Sequence, residues 1–128
     1  MNRDMDLVRK LLIWFDAKKD TRGVRSDAIC IEGHDQLTVR FHILLLAQRG
    51  LVDHEPMKSS TSDRIIDALV FNLTWEGFEL LDAIRDDAIW AKVKKQASKV
   101  GVWSVELLKD IAIAYAKQKL QSKFGIAA

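Results

Sequence analysis

The sequence is short of almost everything that would announce a chemistry. It has one cysteine, Cys30, in 128 residues. An internal disulfide is therefore impossible, and a reducing cytoplasm is the simplest expected location. With one proline and six glycines, the chain lacks the composition of a disordered tract. No phosphate-cradling glycine loop, Gly-x-Ser-x-Gly elbow or zinc-type pair of Cys or His occurs in it. Its longest unbroken apolar run, "IAIAYA" at 111–116, is far shorter than the ~20 residues of a membrane span. The start, "MNRDMDLVRK", is charged and lacks the apolar run of a signal peptide. A net charge of +2 is too small to imply nucleic-acid binding without a concentrated basic face.

What is present suits one folded domain. The chain is 48% apolar and 30% charged, an ordinary globular balance long enough to bury one core. Residues 4–18 read as a helix, with Met5, Val8, Leu11, Leu12 and Phe15 at helical spacing and Asp4 as cap. "DAICIEG" (27–33) has Ile29 and Ile31 at period two and reads as a strand, with Cys30 as a small buried hydrophobe. A second helix covers 35–49 and is stopped by Gly50. "LVDHE" reads as a strand, "PMKSSTSD" (56–63) as a loop, and "RIIDALVFNL" (64–73) as the more buried strand of a hairpin. Thr74 is expected to cap a helix running to about Ser98, with a break near Asp86–Asp87, and Ser104 to cap a last helix to about Lys123.

This order predicts an α+β fold: a winged-helix-like core (helix-strand-helix-strand-strand) over 1–74, with two further helices in 75–128. The whole is read as a single domain, 1–128, whose C-terminal extension either packs on the core or dimerises it. "VRFHILLLAQRGLV" (39–52) and "LTWEG" (73–77) resemble segments of winged-helix bacterial transcriptional regulators. "RDMDLVRKLL" (3–12), "HILLLAQRGLV" (42–52) and "LTWEGFELLDAIRDDAIWAKVK" (73–94) more closely resemble the domain-of-unknown-function 2513 family of bacterial and phage-associated proteins. That resemblance carries no assigned activity. Phe78 stands where that family often has His, which counts against a catalytic reading of the last block.

Five carboxylates crowd 73–90: Glu79, Asp82 and Asp86 would share a helical face, joined by Glu76 and Asp87. Paired carboxylates can work as acid and base. No nucleophile, metal ligands or cofactor loop stands nearby, so caps, an ion pair with Arg85 and solvation explain them better, and no catalytic residue, metal or other cofactor is expected. Phe78, Leu81 and Ile84 are expected as a core stripe between Trp75 and Trp90. His34, His42 and His54 lack ligand spacing, and His42 reads as a packed or hydrogen-bonded side chain.

Two readings of function lead, ahead of a third in which the Asp82/Asp86 face serves a small hydrolase. If 35–49 enters a DNA major groove, Gln36, Thr38 and Arg40 would face bases, and Lys58 and Arg64 would reach phosphates. Asp53, Glu55 and Asp63 offset most of that charge. The alternative is a protein-interaction adaptor. The helix is apolar almost all round, and Phe41 and Leu44 would then form the contact with another protein or with a second copy of the chain in a homodimer. The expected partners are thus double-stranded DNA, another protein or the chain itself, and no membrane.

Overall fold

The computed structural model describes residues 1–125. It has five α-helices, a short 3-10 turn and a two-stranded antiparallel sheet. The class is α+β, in the helix, helix, hairpin order of a winged helix followed by further helices. Two compact units divide at Phe78/Glu79.

In the first unit, α1 (Met5–Asp16) starts where the Asp4 carboxylate accepts from the N–H groups of Asp6 and Leu7. These are donors that a helix start otherwise leaves unpaired. It buries Met5, Leu7, Val8, Leu11, Leu12 and Phe15. Helix α2 (Gln36–Arg49) is capped by Asp35 through the Thr38 N–H, and it ends at Gly50 in the left-handed region. The Gly50 and Leu51 N–H groups turn back onto the carbonyls of Ala47 and Leu46, which closes the helix and directs the chain into the hairpin.

Strand β1 (Val52–Lys58) pairs with β2 (Ile65–Leu73), with irregularities at Asp53/His54 and Met57/Lys58. Strand β2 is the more buried, with Ala68, Val70 and Leu73 inward.

Three expectations about this unit are corrected. The strand read at 27–33 is absent. Ser26–Ala28 forms a 3-10 turn, and the extended contact to β2 is a single bridge, Val24 to Val70. The alternation of Ile29 and Ile31 is too short to hold a strand against the Ser26 hydroxyl, which is tied to Asp67 at 2.9 Å. Cys30 is accordingly exposed rather than buried. Strand β1 also runs through Pro56, opposite Ala68, into what reads as loop. Proline is tolerated on such a strand because β1 pairs with β2 alone and is an edge strand.

After Thr74, α3 (Trp75–Ile84) crosses from the first unit into the second. The Thr74 hydroxyl accepts from the Gly77 N–H at 3.2 Å and itself donates to the Gly50 carbonyl. Trp75 is 78% exposed and Phe78 40%, so neither serves as a packing anchor. The buried positions are Leu80, Leu81 and Ile84, a stripe rotated away from Phe78.

The chain breaks after Ile84, and α4 (Asp87–Val100) starts under an Asp86 cap, its carboxylate accepting from Ile89 N–H at 2.9 Å. Three helices therefore follow the hairpin, not two. Gly101 ends α4, and the Ser104 hydroxyl caps α5 (Val105–Phe124) through Leu107 N–H. Helix α4 packs on α5. Trp90, Val93 and Ala97 on α4 and Leu108 and Ala112 on α5 are buried. No helix among the described residues is long and apolar enough to cross a membrane.

Candidate functional site

Helix α2 and the hairpin carry all the residues that sequence reasoning selected, and they divide into three groups. Arg40 turns inward. Its Nε donates to the hydroxyl of fully buried Ser26 at 3.2 Å and lies 3.7 Å from the Asp67 carboxylate on β2. Since Ser26 also donates to Asp67, the three groups form one closed network. A guanidinium held this way ties α2 to β2, and reading a base edge would require breaking that network.

Gln36 and Thr38 sit at the start of α2. Gln36 is exposed, but its amide reaches back to the Ile29 carbonyl at 3.2 Å. Thr38 is half-buried, and its backbone N–H meets the Asp35 carboxylate at 2.7 Å. That bond, with the Thr38 hydroxyl, holds the Asp35 carboxyl below its ordinary value of 3.8. Lys58 and Arg64 stand exposed on either side of the hairpin loop, which closes through Ser59 N–H to the Arg64 carbonyl at 2.8 Å.

Phe41 and Leu44 share the outer stripe of α2 with Leu37. Both are half-buried, whereas Leu37 is 63% exposed. Beside them a groove of about 200 Å³ lies between α2 and the hairpin, lined by Leu44, Ala47, Gln48, His54, Pro56 and Ile65. The face a base-reading helix would present to DNA is thus apolar along its middle.

His42 looks the other way and is fully buried. Nδ1 lies 2.8 Å from the Thr38 carbonyl, and Nε2 accepts from the Asp4 N–H at 2.8 Å. Among the described residues no group of three or more His, Cys, Asp or Glu is placed to hold a metal ion. The carboxylates of 73–90 do not assemble: Asp86 caps α4, Asp82 lies 3.9 Å from Arg85, and Glu79 pairs with Lys109 at 3.4 Å.

The chain's positive charge lies elsewhere. The first unit holds 11 Lys and Arg against 12 Asp and Glu, a net charge of −1. Helices α4 and α5 hold eight lysines against three acids. Between these two helices lies a cleft of about 430 Å³, lined by Ile89, Lys92, Tyr115, Gln118, Lys119 and Ser122, with Asp86 at its margin. The Lys92 ammonium sits 5.2 Å from the centre of the Tyr115 ring, and the Tyr115 hydroxyl accepts from Gln96 at 3.4 Å. Sequence reasoning overlooked this cleft. Counting charge helix by helix, rather than over the whole chain, would have pointed to it.

Residues 2–103 match the family described as "Hypothetical protein (DUF2513)". The chain belongs to this family. A relative from Haemophilus influenzae, described as "Uncharacterized protein", is 34% identical over 122 residues, covering 94% of this chain and 99% of its own length. No solved structure matches the chain.

Proposed function

We propose that this DUF2513 protein is a non-enzymatic, winged-helix-like regulatory module that binds double-stranded DNA chiefly through the lysines of α4 and α5. The observation that carries this reading is the segregation of charge: eight lysines against three acids on two packed helices, in a chain whose first unit is slightly acidic. Affinity for a duplex comes largely from neutralised phosphates, so the concentrated charge outweighs the scattered exposed residues Gln36, Lys58 and Arg64. Lys92 and Lys119 line the cleft, and Gln118 and Ser122 offer neutral hydrogen-bonding groups to phosphate oxygens beside them. Charge of this kind gives binding without base discrimination.

Fluorescence anisotropy with a labelled random duplex tests this. Binding at low salt that is lost in Lys92→Glu/Lys119→Glu and retained in Lys58→Ala/Arg64→Ala supports the proposal. The absence of binding at low salt overturns it.

A second reading, the protein-interaction adaptor, is favoured by one specific observation. Leu37, Phe41 and Leu44 form an apolar stripe on the outer face of α2. The two readings use different surfaces and are separable by mutation.

A further inference from the structure

We propose that the cleft between α4 and α5 receives an unpaired nucleotide of a DNA strand, with its base on the Tyr115 ring and its phosphates on Lys92 and Lys119. This rests on the reading that α4 and α5 bind DNA, and it names the part of a DNA molecule that the cleft selects.

The helix pair leaves room for such a group. The first half of α5 is packed, with Leu108 and Ala112 buried. Tyr115 is half-buried, and every described residue after it is exposed. The second half of α5 therefore stands clear of the core, and the cleft of about 430 Å³ lies beside it. That volume falls within the ~300–1,000 Å³ of pockets that hold small ligands. Tyr115, Gln118, Lys119 and Ser122 recur at helical spacing on one face of α5. Ile89 and Lys92, three apart on α4, line the other side.

The side chains in the cleft select the ligand. Two ammonium groups call for an anion. The acid at the margin, Asp86, is engaged as a helix cap, with its carboxylate on the Ile89 N–H at 2.9 Å. An aromatic ring stands in the same space as the two lysines. Proteins hold single strands with this combination, phosphates on cations and bases stacked on rings, because every base has an aromatic face. A duplex keeps its bases stacked on one another and has none to give to the ring.

The Lys92 ammonium lies 5.2 Å from the centre of that ring. Lys92 is exposed and its stem is flexible, so it can exchange the ring for a phosphate oxygen and open the ring face to a base. Trp90 also has a lysine over its ring, but it is buried and cannot stack on a base. Phe124 is exposed but does not line the cleft.

Fluorescence anisotropy with three labelled duplexes tests the proposal. One is blunt, one carries a short thymidine overhang, and one carries the same overhang built of abasic sugar-phosphates. The abasic overhang keeps the phosphates and removes the bases, so it separates stacking from charge. The thymidine overhang is expected to bind about tenfold more tightly than the abasic one. Tyr115→Leu should remove that difference, whereas Tyr115→Phe and Phe124→Leu should keep it. Tyr115 is the one tyrosine in the chain. Ring-labelled tyrosine therefore gives one set of NMR signals in the wild type, and a stacked base should move them upfield.

Equal affinity for the thymidine and abasic overhangs, with all three duplexes bound, overturns the proposal and leaves the DNA reading standing. So does a preference that survives Tyr115→Leu or is lost in Phe124→Leu. Failure to bind any of the duplexes at low salt overturns both. An excess of thymidine monophosphate should not displace the overhang duplex, because it brings one phosphate and no strand. Displacement would assign the cleft to free nucleotides and overturn the proposal.

Discussion

The backbone N–H of Asp4 donates to Nε2 of His42 at 2.8 Å, across 38 residues of sequence. A backbone N–H can only donate, and the Thr38 carbonyl on the other side of the ring, at 2.8 Å from Nδ1, can only accept. Together they fix His42 as the neutral tautomer with its proton on Nδ1. The residue that caps α1 is thereby joined to the middle of α2.

His42→Ala removes both bonds and opens a cavity in a fully buried site. It should lower stability by about 2–4 kcal/mol. His42→Gln can return an acceptor toward Asp4 and should recover part of that loss. Urea denaturation of the two variants distinguishes them, and equal losses would mean the bond to Asp4 contributes nothing.

Gly77→Ala should destabilise despite the sequence context. In an exposed helix interior, exchanging Gly for Ala gains up to about 1 kcal/mol. Here a Cβ would run into the Leu51 carbonyl oxygen, a backbone atom that also accepts from Thr74 N–H at 3.1 Å. Overpacking of this kind costs about 1–3 kcal/mol. The sign should therefore reverse, with a lower thermal midpoint, and a raised midpoint would show that α3 can retreat from the Leu51 turn.

Much of this was legible in the sequence because it is local. Asp4, Asp35, Asp86 and Ser104 are short polar side chains standing just before helices, and Gly50 stands just after one, so caps and boundaries could be read from neighbours alone. What was not legible depends on distant parts of the chain. The role of Arg40 is set by Asp67 on β2 and by Ser26 in a turn that no periodicity marks. The strand before α2 shrinks to the bridge at Val24 because one pair of residues leaves no alternating pattern. Trp75 and Phe78 look like anchors by composition, but the rotation of α3 fixed at Gly77 and Leu51 sends them outward. The lysine cleft needs α4 folded against α5 before Lys92 and Lys119 face one space.

Arg40→Ala should act on stability rather than on DNA binding. It leaves Asp67, whose side chain is 13% exposed, without its cation, and should cost about 1–2 kcal/mol in a thermal unfolding measurement. Duplex affinity of the folded variant should stay within about twofold of wild type. A loss of several-fold with unchanged stability would return Arg40 to the DNA-reading role.

Acid should weaken the start of α2. The carboxyl of Asp35 is held below its ordinary value by the Thr38 N–H and hydroxyl, so the folded state binds its proton less readily than the unfolded state. The stability this supplies is present above the ordinary value and is lost as pH falls below about 4 and on through the folded value. Asp35→Asn keeps a capping oxygen but does not titrate. Unfolding midpoints at pH 6 and pH 3 should fall more for wild type than for this variant. Equal falls would show that the cap carries no pH dependence.

The dependence of duplex affinity on salt tests the central claim most directly. If the lysines of α4 and α5 neutralise phosphates, the logarithm of affinity should fall linearly with the logarithm of salt concentration. Lys92→Ala/Lys119→Ala should make that slope shallower by about two, roughly one for each lost phosphate contact. A slope unchanged in that variant but made shallower by Lys58→Ala/Arg64→Ala would contradict the account and move the phosphate contacts back to the hairpin.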